Sequence, residues 1–295
     1  MGPSGSGTTA AAAGAWRPSP RELERRAARR RQGRRRLLLA SLSTLVVLGA
    51  LVAVVVTSPG WPRVRETFFS PYHARESFPA IVDGFWLNVK LFVLCQPAIL
   101  VLGLLVALAR GTHSPWMAPL RLLAVVFTDV LRGIPTLLLV LLLGFGMPAL
   151  ELQGLTNDRY VWAGVALVLS YSAYVAEVFR AGIESVHPSQ IASARALGLG
   201  HVRTLRHVVV PQAVRRIVPP LLNDFVSLQK DTALVSAVGV FDAVFTAQDY
   251  GLYNFNFTPL VVVSAFFVVM TVPLARLTDW LQRRVVERER AGGVA

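Results

Sequence analysis

Cysteine is nearly absent from this sequence of 295 residues, in which Cys95 is the only one. A single cysteine excludes an intrachain disulfide, and no cysteine and histidine residues stand at the spacing of a metal site. The five histidines fall in predicted loops or helix ends. No nucleophile, base and metal ligand therefore converge as a membrane-embedded enzyme would require. We expect no catalytic residue, no metal and no cofactor.

Nucleotide-binding signatures and internal repeats are also missing. No GxxxxGK[ST] phosphate-binding loop occurs, and the GxGxx run at 198–202 lacks the third glycine and follows no predicted strand. The chain is therefore not expected to hydrolyse ATP. Ion-coupled secondary transporters usually carry internal repeats, and we see none here. That class remains the alternative for a transport function, and composition alone also allows a structural scaffold.

Lysine and acidic residues are scarce. The 30 basic residues, of which two are lysine, face 17 acidic ones, and the formal net charge is +13. Such basicity can indicate nucleic-acid binding, but basic residues beside apolar spans normally set membrane topology. Hydrophobic residues make up 54% of the chain and the mean hydropathy is +0.52. Since soluble domains rarely combine these values with long apolar runs, we predict an all-α integral membrane protein with no nucleic-acid partner.

Six apolar segments reach or nearly reach the roughly 20 residues that cross a bilayer. Residues 119–135 form an amphipathic lead-in to the third segment, and Arg132, Gly133 and Pro135 break the helix before it. The fifth segment is interrupted by polar residues. The predicted spans are 37–57, 87–109, 133–150, 160–180, 214–241 and 259–279.

The first 36 residues are predicted to be a disordered, basic cytoplasmic tail. Residues 1–16 are rich in Gly, Ser, Thr and Ala, and residues 17–36 are rich in Arg. The tail and the first span resemble a signal peptide, but the basic region is too long and no convincing cleavage site follows, so we expect a retained span. The arginine-rich part is expected to lie on anionic membrane lipid.

The distribution of arginine predicts the orientation. With both termini inside, 22 basic residues lie in inner segments and four in outer segments. This asymmetry obeys the positive-inside rule. We therefore expect a multi-pass protein of the bacterial inner membrane with both termini in the cytoplasm, including a C-terminal tail at 283–295.

A basic segment, SARALGLGHVRTLRHVVVPQ, lies between the fourth and fifth spans at residues 193–212. Pro188 and Ser189 predict the start of a short helix, with Ser189 as N-cap, and Gly198 and Gly200 predict its end. A second helix is expected to begin near His201. Such a compact knob suits docking on a soluble partner, but an ordinary basic loop on lipid headgroups fits the pattern equally well.

The same segment resembles the cytoplasmic signature of ABC-transporter permeases, which runs Glu-Ala-Ala, three residues, Gly, nine residues, Ile, one residue, Leu-Pro. Here Ala192 and Ser193 replace its first Glu-Ala, so the role of that Glu is not carried over. Blocks at 84–92, 131–135, 172–186 and 208–240 resemble the subgroup that imports polar amino acids. The positions matching the signature are Ala192, Ser193, Ala194, Gly198, Val208, Val210 and Pro211.

The resemblance covers about residues 84–282 and implies a five-span type I importer permease core, to which the first span is an addition. It also implies a cytoplasmic ABC ATPase dimer, a second permease subunit, either the same or a sister chain, and an extracytoplasmic substrate-binding protein. The residues expected to form the coupling helix and contact the ATPase are Ser189, Ala194, Arg195, Gly198, His201, Arg203 and Pro211.

A polar stripe in the fifth span is the candidate translocation path. Its members recur at helical spacing, and an ionised side chain facing lipid at mid-depth costs about 2.5–3.5 kcal/mol or more, so the stripe should face protein or water. Lys230 and Asp231 could instead hold a helix break. Glu177, in the fourth span, could pair with Arg180 or meet a cationic substrate. The predicted path residues are Glu177, Asn223, Asp224, Ser227, Lys230 and Asp231.

Overall fold

The computed structural model describes residues 19–112 and 114–292, and this part of the chain forms helices joined by short turns, with no strand. The chain divides into two compact units, residues 1–63 and 64–295. The α-helices are α1 Pro20–Thr57, α2 Trp61–Phe68, α3 Pro71–Arg110, α4 Ala118–Gly133, α5 Thr136–Ala149, α6 Arg159–Glu184, α7 Pro188–Ala196, α8 His201–Thr204, α9 Val210–Asp231, α10 Ala243–Asn254 and α11 Thr258–Gly292.

The first unit contains α1, a single helix of 38 residues. Its apolar part, 37–56, is exposed on every side, as expected for a span that faces lipid. The prediction of a disordered tail through residue 36 is wrong from Pro20 onward, because the helix already begins there. Arginine, alanine, glutamate and leucine favour helix, and the segment runs directly into the apolar helix. The predicted disorder of residues 1–16 lies outside the described residues.

Length and apolarity identify four spans in the described chain, or five when α4 and α5 are counted as one broken span, against the six predicted. The bend between α4 and α5 is 103°. As predicted, α4 ends at Gly133, and Pro135 is the N-cap of α5. The predicted span 214–241 is not one continuous α-helix. α9 ends at Asp231 and a 3-10 segment, Thr232–Val238, follows it.

The core of the second unit surrounds α6, which packs against α3, α4, α5 and α9. Leu167 of α6 is fully buried and belongs to one cluster with Ile99, Val140 and Leu228. Close helix approach depends on small residues, as in other membrane bundles. At Gly182, for instance, a Cβ atom would lie 2.1 Å from the Ile217 side chain. The backbone of α6 therefore packs directly against a side chain of α9 at this position.

A buried polar junction joins α3 to the start of α10. The amide of Asn88 donates to the Asp242 carboxylate at 2.9 Å and to the Thr232 carbonyl at 3.1 Å, and its oxygen accepts from the Ala243 backbone N–H at 3.2 Å. Asp242, with no exposed surface, also caps α10 through the Phe245 N–H. The Asn88 side chain thus joins α3 both to the start of the 3-10 segment, at Thr232, and to the start of α10.

Candidate functional site

The segment between α6 and α9 contains the turn that the sequence predicted. α7 ends at Ala196 in a Schellman motif, in which the Gly198 N–H bonds the Arg195 carbonyl at 2.9 Å and the Leu199 N–H bonds the Ala194 carbonyl at 3.1 Å. Gly198 has φ +81°, a conformation that glycine adopts without steric cost. The predicted stop at Gly198 and the start of α8 at His201 are confirmed.

The N-cap of α7 differs from the prediction. His187, rather than Ser189, occupies the cap position, and its Nδ1 accepts a hydrogen bond from the Ser189 N–H at 3.2 Å. Pro188 takes the first helical position, where its missing N–H is not needed. Ser189 is therefore the second residue of the helix, and its hydroxyl hydrogen bonds the same imidazole nitrogen at 2.7 Å.

Six of the seven predicted coupling residues are exposed. Ala194 is the exception, because it is 5% exposed and packs inward, where it can position the segment but cannot touch a partner. Leu197 and Val202, which the sequence analysis missed, are 83% and 74% exposed. Leu197 directly precedes Gly198, and Val202 follows it by four residues. The exposed predicted residues are Ser189, Arg195, Gly198, His201, Arg203 and Pro211.

α8 is continuous with α9 through one π turn, Leu205–Val209. Thr204 is buried and its hydroxyl hydrogen bonds the Gly200 carbonyl at 3.2 Å, which fixes the start of α8. At the other end of the segment, the Arg216 guanidinium donates to the Ser185 carbonyl and so ties α9 to the end of α6. The segment is thus held at both ends by helices of the core.

The polar residues of α9 share one face of the helix. Asn223 and Lys230 are exposed, whereas Asp224, Ser227 and Asp231 are partly buried. The opposite face packs inward: Leu228 is fully buried, the Phe225 ring lies 4.7 Å from that of Phe92, and Gln229 accepts from the Thr271 hydroxyl at 2.6 Å. Asn223 and Lys230 are therefore the open part of the stripe, whereas helices of the same subunit partly cover Asp224, Ser227 and Asp231.

Individual members of this stripe differ in their partners. The Tyr171 hydroxyl donates to Asp231 at 2.7 Å, and Gln282 donates to Asn223 at 3.4 Å. The Oδ2 atom of Asp224 is buried and lacks a hydrogen-bond partner within the described residues. Lys230 forms no ion pair in that same part of the chain. The alternative in which Lys230 and Asp231 hold a helix break stays open, since α9 ends at Asp231.

Glu177 lies in a cluster of arginines rather than on this stripe. Its carboxylate pairs with Arg180, with Arg110 at 3.0 Å and with Arg132 at 3.9 Å. Arg110 also donates to the Thr128 hydroxyl at 2.6 Å. These contacts join the ends of α3, α4 and α6. Of the two roles left open by the sequence, the ion pair with Arg180 is the one present.

Comparison with known proteins gives concordant results. Residues 99–287 match the family described as binding-protein-dependent transport system inner membrane component. The probable glutamine ABC transporter permease GlnM of Bacillus subtilis is 31% identical over 71% of this chain and 95% of its own. The glutamine transport system permease GlnP of Escherichia coli K12 is 33% identical over 71% of this chain and 94% of its own.

Solved structures agree with the sequence relatives. A crystal structure of an amino acid ABC transporter with histidines matches with a TM-score of 0.64 and 32% identity, over 71% of this chain and 95% of that one. The MetNI methionine ABC transporter, at 19% identity and a TM-score of 0.59, shares the fold. The family match spans more than half of the chain. The chain belongs to the binding-protein-dependent transport system inner membrane component family, as an ABC transporter permease.

Proposed function

We propose that this permease forms the membrane path for a polar or charged amino acid in an ATP-driven importer, with glutamine and arginine as the first substrates to test. The observation that carries this proposal is the exposed segment 187–207, a helical knob that contains most of the positions resembling the permease signature. Its two apolar side chains Leu197 and Val202 are exposed and thus available to a partner. The names of the relatives, which include a permease of an arginine transport system, support the substrate class.

The partners follow from this assignment. The knob docks on a cytoplasmic ATPase dimer, a second permease subunit completes the path, and an extracytoplasmic binding protein delivers the substrate. The arginine distribution supports an orientation in the bacterial inner membrane with both termini in the cytoplasm. Residues 84–282 form the importer domain, and α1 with its basic stem is an addition that sets orientation on anionic lipid.

For the path itself we infer a lining of five residues on α9: Asn223, Asp224, Ser227, Lys230 and Asp231. Two properties support this choice. Its members Asn223 and Lys230 are exposed, and its charges would be costly against lipid. The Oδ2 atom of Asp224 is buried without a hydrogen-bond partner within the described residues, so its capacity to accept a hydrogen bond is unused in this structure. Glu177 is omitted because three arginines surround its carboxylate.

Uptake into proteoliposomes tests the transport assignment. The complex should be purified through this chain with its attached subunits, reconstituted, and supplied with labelled glutamine or arginine. We expect uptake that requires ATP and stops when the ATPase subunit is inactivated. Uptake driven by an ion gradient in vesicles lacking the ATPase would establish the secondary-transporter alternative instead.

Cysteine substitutions along 221–232 test the path. In a Cys95→Ala background, a water-soluble thiol reagent should label cysteines at Asn223 and Ser227, and substrate or ATP should change the labelling rate. Cys95 itself is buried, so its removal leaves the surface unchanged. Leu228→Cys is the matched control, since that position is fully buried and should stay unlabelled. If labelling is confined to the face of Leu228, or if substrate and ATP leave the labelling rate unchanged, these residues do not line the path.

A further inference from the structure

A cavity of about 360 Å³ opens between the ends of α3, α4 and α6, away from the polar face of α9. Three arginines from these three helices line it together with one acidic residue, and two aliphatic side chains form an apolar wall. The lining residues that matter are Arg110, Arg121, Leu122, Val125, Arg180 and Glu184.

The charges of this cavity are only partly satisfied within the protein. Arg110 and Arg180 share Glu177, and Arg180 also pairs with Glu184. Arg121 has no acidic partner among the residues that the structure describes, and its guanidinium donates to the Thr112 carbonyl at 3.2 Å. Arg132 also lies within 3.9 Å of Glu177, so four arginines share two acidic side chains. Of the three arginines that line the cavity, Arg121 is the exposed one. An anionic ligand would complete this set.

The surroundings identify the kind of anion. Leu122, which lines the cavity, is 64% exposed, and Leu123 beside it is 67% exposed. Trp116, one turn before α4 proper, is 92% exposed, and tryptophan is enriched at the membrane–water interface. The cavity lining thus combines arginines with aliphatic side chains, and the exposed Leu123 lies next to it in the sequence. A soluble anion would bind the arginines but would make no contact that needs the aliphatic side chains.

We propose that this cavity binds an anionic phospholipid of the cytoplasmic leaflet. The phosphate is held by Arg121 with Arg110 and Arg180, and an acyl chain lies along Leu122 and Val125. Basic pockets between spans on the cytoplasmic side are suited to such headgroups. The placement in the cytoplasmic leaflet rests on the orientation proposed above. The binding itself needs neither ATP nor substrate.

Native mass spectrometry of the purified full-length chain in detergent tests the proposal. The protein is titrated with phosphatidylglycerol, with phosphatidylcholine and, separately, with inorganic phosphate. We expect tighter binding of phosphatidylglycerol than of phosphatidylcholine. The Arg121→Gln variant should lose roughly fivefold in affinity for the anionic lipid, the equivalent of about 1 kcal/mol for one arginine at a charged surface.

Arg215→Gln is the matched control, because Arg215 is also exposed and lines no part of the cavity. Its affinity for phosphatidylglycerol should stay at the wild-type value, and Arg121→Lys should bind more tightly than Arg121→Gln. Equal losses in Arg121→Gln and Arg215→Gln would overturn the proposal in favour of general surface attraction. Inorganic phosphate that displaces the lipid at similar concentration would overturn it in favour of a small-anion site. Since the assay contains no ATPase or substrate, a failure here leaves the transport assignment intact, and a failure of uptake leaves lipid binding measurable.

Discussion

Replacing Gly84 with alanine is expected to destabilise the importer domain strongly. A Cβ atom at this position of α3 would lie 2.6 Å from the backbone carbon of Asp242 and 2.7 Å from the Ala243 nitrogen. Backbone atoms cannot rotate away as a side chain can, so α3 and α10 must separate. One turn later, Asn88 makes three hydrogen bonds to the same junction. These bonds lengthen or break when the helices part.

The expected size follows from two costs. Forcing a methyl group into a filled site costs about 1–3 kcal/mol. Each buried polar group left without a partner adds about 1–3 kcal/mol. We expect the apparent melting temperature of the detergent-solubilised chain to fall by roughly 5–15 °C, with loss of the monodisperse peak in size-exclusion chromatography. Asn88→Ala should act in the same direction.

Gly146→Ala in α5 is the control for glycine replacement itself. A Cβ atom at Gly146 meets nothing within 4 Å, and alanine favours helix over glycine by about 1 kcal/mol. This variant should be as stable as the wild type or slightly more stable. If Gly84→Ala melted at the same temperature as Gly146→Ala, the close approach of α3 to α10 would be absent from the folded protein.

Local sequence signals predicted those features of the fold that depend on neighbouring residues. The break at Gly133 and Pro135, and the turn at Gly198, each follow from the backbone preferences of the residues present. The junction of Gly84, Asn88 and Asp242 does not, because its partners are separated by more than 150 residues. The sequence reveals a glycine and an asparagine in a span, but only the packed structure shows what they touch.

Charged residues limited the prediction of spans and of the site. α9 combines an apolar face with charged residues: Arg215, Asp224, Lys230 and Asp231. Average hydropathy along the sequence therefore predicted a span that continues into the apolar residues after Asp231. In the structure the helix ends at Asp231. For Glu177, the sequence showed only Arg180 one turn away. Arg110 and Arg132 approach from other helices, and they decide that the carboxylate serves an ion cluster.

Replacing Gly198 with valine is expected to uncouple ATP hydrolysis from transport, the largest functional effect that we predict for a single residue outside the path. A Cβ atom at Gly198 would meet nothing within 4 Å, so the cost is conformational rather than a clash. A β-branched residue at φ +81° is strained by about 1 kcal/mol or more. The strain is relieved by opening the Schellman bonds, which re-aims Leu197, the most exposed apolar side chain of the knob.

The measurement compares ATP-driven uptake, ATPase activity and co-purification of the ATPase in one reconstituted complex. Gly198→Val should reduce uptake at least about tenfold, equivalent to about 1.4 kcal/mol of lost coupling, while the melting temperature of the chain stays near the wild-type value. Gly200→Ala is the matched control. Gly200 lies two residues away with φ −64°, and its Cβ would also meet open space, so alanine is tolerated there. Normal uptake in Gly198→Val, or an equal loss in both variants, would show that the shape of this turn does not transmit the power stroke.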